Sequence, residues 1–382
     1  MPGQVTLTTS NFHESPYSKR RQIAELIDIM SPREVPFIKL IGIDGEAGSN
    51  PKHEWLEDTL LAETSLVHDN PLLIGALNVT VPAGHGINFQ VGNLIKVASE
   101  FMYVTQVVVD ALTVIRGAAG SAAAQHAQNT VIEIVGIANK EGSDAPLKGT
   151  TELVIPYNYF QDFDQAYSIS YVAEKTAIHG VQEGDYAREL KKAFEEITIK
   201  LERTAILGVR FAGDPNVPRL MGGLDYFLSS AYSTNHASID LGGAPVEEKD
   251  INDLLQKLFY AVGSQNMART VICGAWNKRR VNDFYAPSAR MARNERTGGV
   301  VVDTIDTDHG PVDVVISLRC PMNKMYFVNT EFLKIHPYNG LAFFDEEKST
   351  QGAYKKREIF GSYSMTAKNT KSMGVILNTA IA

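Results

Sequence analysis

Hydrophobic and polar positions follow three different rhythms along this chain, and each rhythm predicts a kind of element. In residues 184–209, GDYARELKKAFEEITIKLERTAILGV, the positions Leu190, Phe194, Ile197, Leu201 and Gly208 recur at steps of three, four and seven. Those steps share one face of a helix. Asp185 suits the N-cap, and Glu196 to Lys200 is an i,i+4 charge pair in the favourable order. Helical over 185–209, the segment measures about 37 Å at roughly 1.5 Å per residue. Leu190, Phe194, Ile197 and Leu201 form its expected core stripe. EKDINDLLQKLFYAVG (248–263) is a second amphipathic helix, WNKRRVNDFYA a third, and RQIAELIDIM (21–30) a short one. SPREVPF ends that last helix, because Pro32 and Pro36 cannot continue it.

The second rhythm is strict alternation, the mark of a half-buried strand. QAYSISY sets Tyr167, Ile169 and Tyr171 against Ser168 and Ser170. REIFGSYSMTAKNTKSMGVIL sets Ile359, Gly361, Tyr363, Met365 and Ala367 against Ser362, Ser364, Thr366 and Lys368. KHEWLEDTLLAE, ARTVICG, KMYFVNT and FLKIHPY read as further strands, and VVVDTIDTDHGPVDVVISL as two strands joined by a turn at 308–311. The third texture covers residues 73–137, where β-branched runs alternate with Gly, Asn, Asp and Ala clusters. Evenly spaced short strands predict a small β-barrel or sandwich. Polar loops flank it, HDNP before and NKEGSDAPLKGTT after, which marks an inserted domain. The class is α+β, without internal repeats or a regular βαβ run.

With 382 residues the chain has ample material for a core and for two or three domains. Its net charge of -8 argues against a surface that grips nucleic acid throughout. Two cysteines make no disulfide scaffold, and the opening MPGQVTLTTSNFHESPYSKRR lacks the apolar core of a signal peptide, so a reducing compartment is expected. No apolar run is long enough to span a bilayer.

Catalytic signatures are missing from the sequence. There is no phosphate loop, dinucleotide fingerprint or nucleophile elbow, and the nine histidines show no zinc spacing. Asp306, Asp308 and Gly310 resemble the start of a calcium loop, but position five is Gly310 and position twelve is Ser317. Cys273 and Cys320 sit among apolar neighbours and read as core. The acids of EWLED, Glu54, Glu57 and Asp58, are expected on a partner-facing edge together with Trp55. No catalytic residue, cofactor or metal is assigned.

These pieces occur in one order in a known family. AELIDIMSPREVPFIKLIG, HEWLEDTL, the series VGNLI, EFMYVT and LTVIRG, then NYFQDFDQAYSISYVAEKTAIHG, ARELKKAFEEITIKLERTAILG, GPVDVVISLRCPMNKMYFVN and REIFGSYSMTAKNTKSMGVI run through nearly the whole chain. Together they resemble tailed-bacteriophage major capsid proteins with the Hong Kong 97-type shell fold, in the branch with a β-domain inserted in the E-loop. GSYSM and AKNTKSMGVI depart from the commoner acidic-then-aromatic last strand. The resemblance implies an N-terminal arm (1–50), E-loop strands (51–72 and 138–175) and an inserted β-domain (73–137). It further implies a peripheral domain (176–219 and 336–382) whose spine is the helix 185–209, and an axial domain (220–335).

It implies a structural shell subunit, not an enzyme, that assembles with itself into hexamers and pentamers around double-stranded DNA without sequence-specific binding. Portal, scaffold or decoration proteins are the further partners implied, with no membrane. Its place is the virion capsid, assembled in the bacterial host cytoplasm. Tyr17, Lys19, Arg20 and Arg21 of the arm and Glu54, Trp55, Glu57 and Asp58 are the expected intersubunit contacts. With so short an arm no fused scaffold segment is expected, and no motif supports covalent crosslinking. The alternatives are an encapsulin-like nanocompartment shell, or a soluble enzyme or carbohydrate-binding protein with a β-rich accessory domain.

Overall fold

The structure is a computed structural model that describes residues 34–43, 50–142, 144, 149–175, 184–233, 236–285, 303–339, 342–350 and 352–380. The chain divides into two compact units, residues 56–156 and the remainder.

In chain order the elements begin with helix α1 (Pro36–Ile41) and strand β1 (Lys52–Glu54). The 56–156 unit holds β2 (Thr64–Leu66), β3 (Asn78–Thr80), β4 (Asn93–Val97), β5 (Glu100–Val108), β6 (Ala111–Ile115) and β7 (Val131–Ile137). The chain continues with β8 (Tyr157–Tyr159), β9 (Gln161–Ser170), α2 (Tyr171–Lys175), α3 (Gly184–Leu207) and α4 (Leu224–Phe227). Next come β10 (Ala237–Asp240), α5 (Glu248–Asn266), β11 (Thr270–Cys273) and α6 (Ala275–Tyr285). The closing strands are β12 (Asp303–Thr307), β13 (Gly310–Ile316), β14 (Met325–Val328), β15 (Leu333–Pro337), β16 (Phe344–Lys348), β17 (Tyr354–Ala367) and β18 (Gly374–Leu377).

The 56–156 unit is one antiparallel sheet in the order β2-β7-β4-β5-β6-β3. Alternation along its strands sends Ile95, Val97, Met102, Val104, Leu112, Val114 and Ile132 into a single core. Glu100 lies in the same interior at 0% exposure, and five donors satisfy it. They are Arg116 Nε (2.7 Å) and Nη2 (2.8 Å), His126 Nε2 (2.9 Å), and the N–H groups of Ala124 (3.0 Å) and Gly117 (3.2 Å). Burial alone would raise the Glu100 pKa, but Arg116, His126 and the two N–H groups hold it down to about 2.

The larger unit is built on a six-stranded mixed sheet, β10-β18-β14-β11-β13-β12, in which β10 runs parallel to β18 and β11 to β13. Both faces are buried. Ile272, Tyr326, Val328 and Val375 enter one core, while Val271, Cys273, Met325, Phe327 and Ile376 enter the other. Helix α5 covers the second with Ile251, Leu254, Leu255 and Leu258, the i, i+3, i+4, i+7 spacing of one helix face. A reciprocal capping box starts that helix, with Glu247 N–H donating to the Asp250 carboxylate at 2.9 Å.

Helix α3 lies in the first core. Ala193, Ile197, Leu201, Ala205 and Ile206 are buried there, while Leu190 and Phe194 are half-buried against it. The expected stripe is therefore fully buried only at Ile197 and Leu201. Its neighbours Ala193, Ala205 and Ile206 complete the contact. Glu196 and Lys200 both reach Gln165 of β9. At its C-terminal end a Cβ on Gly208 would come within 2.4 Å of the Met221 carbonyl, and one on Gly223 within 2.5 Å of the Thr204 carbonyl. Only glycine allows this close passage.

Pro36 opens α1, a helix the sequence reading did not include, because the first helical turn needs no proline N–H. Two local readings need correction. Tyr171 does not share a strand face with Ile169, since it begins α2 and is 48% exposed. The KHEWLEDTLLAE stretch is a strand only over Lys52–Glu54. The helix expected at 21–30 lies outside the described residues.

Candidate assembly surfaces

The two-stranded ribbon β1–β8 pairs Lys52 with Tyr159, His53 with Asn158 and Glu54 with Tyr157. Its inner side chains are held by the sheet of β15, β17, β16 and β9. Buried Asn158 donates to the carbonyls of Met365 (2.7 Å) and Gly222 (3.0 Å) and accepts from Gly222 N–H (2.8 Å) and Tyr159 N–H (2.9 Å). His53 Nε2 and Thr366 Oγ1 are 3.0 Å apart, and the His53 ring stacks on His336 at 4.7 Å. These contacts explain why both faces of β17 are buried from Gly361 to Ala367. Burial, His336 and Lys368, in that order, lower the His53 pKa to about 4.

The expected contact residues separate by this geometry. Glu54 is exposed and pairs with Lys52. Trp55 is 7% exposed and packs in the core, its ring 6.1 Å from Phe227. It is a core residue of its own chain, because its large apolar ring reaches the α4 side of the cluster and leaves nothing to offer a neighbour. Glu57 pairs by backbone with Val154, and exposed Asp58 accepts from Thr151 Oγ1 at 3.0 Å. Tyr17, Lys19, Arg20 and Arg21 lie outside the described residues.

A surface feature that contact motifs did not reveal is the distribution of exposed aliphatics. Of thirty exposed large hydrophobic residues among the described residues, seventeen fall in residues 56–156. Leu60 is 95% exposed, and Leu153, Val154 and Ile155 each exceed half.

The polar interior is structural in character. Among the described residues no three His, Cys, Asp or Glu side chains gather as a metal site. Burial pushes the Cys273 thiol up to about 12 and Cys320 further up, the opposite of an activated nucleophile. Glu202, on the buried face of α3, accepts from Ser317 Oγ at 3.2 Å. Burial raises its pKa to about 7, partly offset by Ser317, the N–H groups of Ile38 and Phe37, and Arg319.

The sequence profile of the SU10 major capsid protein family matches residues 4–380. Several solved structures match nearly end to end, three of which follow. The capsid of cyanophage A-1(L) has a TM-score of 0.54 at 11% identity, over 96% of this chain and 98% of its own. The capsid of a native GTA particle gives 0.54 at 10%, over 98% and 100%. The capsid of the Myoviridae phage XM1 gives 0.51 at 8%, over 98% and 99%. At these identities the likeness is one of fold. No curated protein matches the sequence.

Proposed function

The chain belongs to the SU10 major capsid protein family, and from that premise we propose that its copies form hexamers and pentamers that close around packaged double-stranded DNA. The chain is a structural subunit of a phage capsid with the Hong Kong 97-type fold. The observation that carries this is the family match over residues 4–380. It supports a capsid over the nanocompartment shell and over a soluble enzyme or carbohydrate-binding protein.

In the assembled state α3 acts as the spine of a peripheral domain (176–219 and 336–382), and residues 220–335 as the axial domain. Residues 51–72 and 138–175 act as E-loop strands around the inserted domain 73–137. The aliphatics at Leu56, Leu60 and Leu153 to Ile155, with Glu54, Glu57 and Asp58, meet neighbouring subunits. The arm residues Tyr17, Lys19, Arg20 and Arg21 do the same. Broad apolar and polar surfaces suit this role better than a pocket does. The net charge of -8 supports a container that encloses DNA without gripping it. The role is non-catalytic, assembly takes place in the host cytoplasm, and portal, scaffold or decoration proteins complete the particle.

Sedimentation velocity of the purified full chain tests the capsomer claim. Species of five and six chains are expected, and a monomer at every concentration sinks it.

A further inference from the structure

The 56–156 unit contains a cavity of about 1110 Å³ between the 84–91 loop, the outer side of β5 and residues 139–140. Ile87, Val91, Tyr103, Val107 and Val109 line it. Ile87 is 45% exposed, Val91 42% and Val109 82%. The groove is thus a largely apolar trough open to solvent, and Asp110, Asp144 and Lys140 are the charged members of its lining.

Val109 is the unusual member. It is the first of the two residues that turn β5 into β6, and its φ is 53°. A β-branched residue seldom adopts a positive φ, and glycine or asparagine is the usual occupant of such a hairpin position. Neighbouring residues hold the turn in place. Asp110 Oδ1 accepts from Gly86 N–H at 2.9 Å, and the Asp110 carbonyl accepts from Val81 N–H at 2.9 Å. A Cβ on Gly86 would lie 1.7 Å from the Val109 carbonyl oxygen, so the loop and the turn interlock. The fold therefore maintains a strained backbone to present two methyl groups to solvent. A strained residue whose side chain has no use inside its own chain points to a use outside it.

Charge narrows the occupant. Residues 56–156 carry ten acidic and four basic residues, leaving 34 acidic and 32 basic in the rest of the chain. Another copy of this unit would bring the same negative excess, and nucleic acid would be repelled. We propose that the groove docks an extended segment of a separate protein, one that carries aliphatic side chains together with Lys or Arg, with Val109 as an apolar post in its wall. The aliphatics displace water from Ile87, Val91 and Val107, and the cations meet Asp110 and Asp144, which outnumber Lys140 in the lining. The inference stands whether or not the chain assembles as proposed above.

The test is fluorescence anisotropy on the full chain with three labelled hexapeptides, of alternating Lys–Leu, Glu–Leu and Lys–Ser. The Lys–Leu peptide should bind at least about fivefold tighter than either other one, a gap of about 1 kcal/mol. Val109→Asn relieves the backbone and removes the methyls. It should weaken Lys–Leu binding by about fivefold or more while the melting temperature stays level or rises. Leu318→Ser, an exposed aliphatic outside the lining, should leave binding unchanged. Equal affinity for the three peptides, or parental binding by Val109→Asn, overturns the proposal. If the Lys–Leu peptide instead breaks apart oligomers of the chain, a second copy fills the groove and the separate partner is refuted.

Discussion

His53 of β1 and His336 of β15 stack with ring centroids 4.7 Å apart, and the ribbon that carries His53 is thereby fixed to the sheet that carries His336. The other charge acting on His53 is that of Lys368, so protonation brings like charge into the contact. His53 has a folded pKa near 4 against an ordinary value near 6.5. Its neutral form stabilises the fold above pH 6.5, and that contribution is lost as pH falls toward 4. Glu202 works the other way. Its folded pKa near 7 lies above the ordinary 4.5. Its contribution is complete below 4.5 and is lost as pH rises through 7. The two windows overlap, so they offset each other in the parent chain. Urea midpoints measured at pH 4.5 and 7 should reveal them separately. Glu202→Gln should make acidification more destabilising than in the parent, and His53→Gln should make it less so. Parallel pH profiles for all three chains would contradict this.

The burial along α3 predicts unequal damage from equal charges. Leu201 is 0% exposed and Phe194 half-buried. Leu201→Asp places an unpaired charge in the core and should abolish soluble folding. Phe194→Asp can turn its carboxylate toward water and should yield a soluble chain with a lowered melting temperature. Circular dichroism of both variants decides, and a Leu201→Asp chain that melts like the parent would remove the assignment of the buried face.

Arg116→Met leaves Glu100 buried without two of its five donors. Breaking such a pair costs about 3–5 kcal/mol. Hydrogen exchange should show the strands of residues 56–156 losing protection while β11, β14 and β18 keep theirs. Uniform loss over the whole chain would mean that the two units do not respond separately.

How much of this was legible in the sequence depended on whether the signal was local. Helices α3, α5 and α6 announced themselves by period, and β12–β13 by the turn between them. The alternation in β17 was visible too, but not that Ser362, Ser364 and Thr366 are buried like their neighbours. That follows from β8 residue Asn158, more than two hundred positions away. Helix α1 went unread because proline is equally at home ending one helix and opening the next. Trp55 misled because acids on both sides of it suggested an exposed strand. The Glu100, Arg116 and His126 cluster has no spacing that marks it, since three strand and loop positions meet only once the sheet forms.

Leu60, at 95% exposure, contributes little to the fold of one chain. Leu60→Asp should change stability by about 0.5 kcal/mol or less. The same change should reduce capsomer yield on a sizing column, because a charge is unwelcome in a desolvated contact. Parental yield would exclude Leu60 from any subunit interface.

The central claim is that this chain builds a shell, and electron microscopy of the purified full chain tests it most directly, with the chain expressed alone and beside its neighbouring genes. Closed or aberrant shells, or free hexamers and pentamers, are the predicted images. A persistent monomer in both preparations, even when concentrated, would contradict the account.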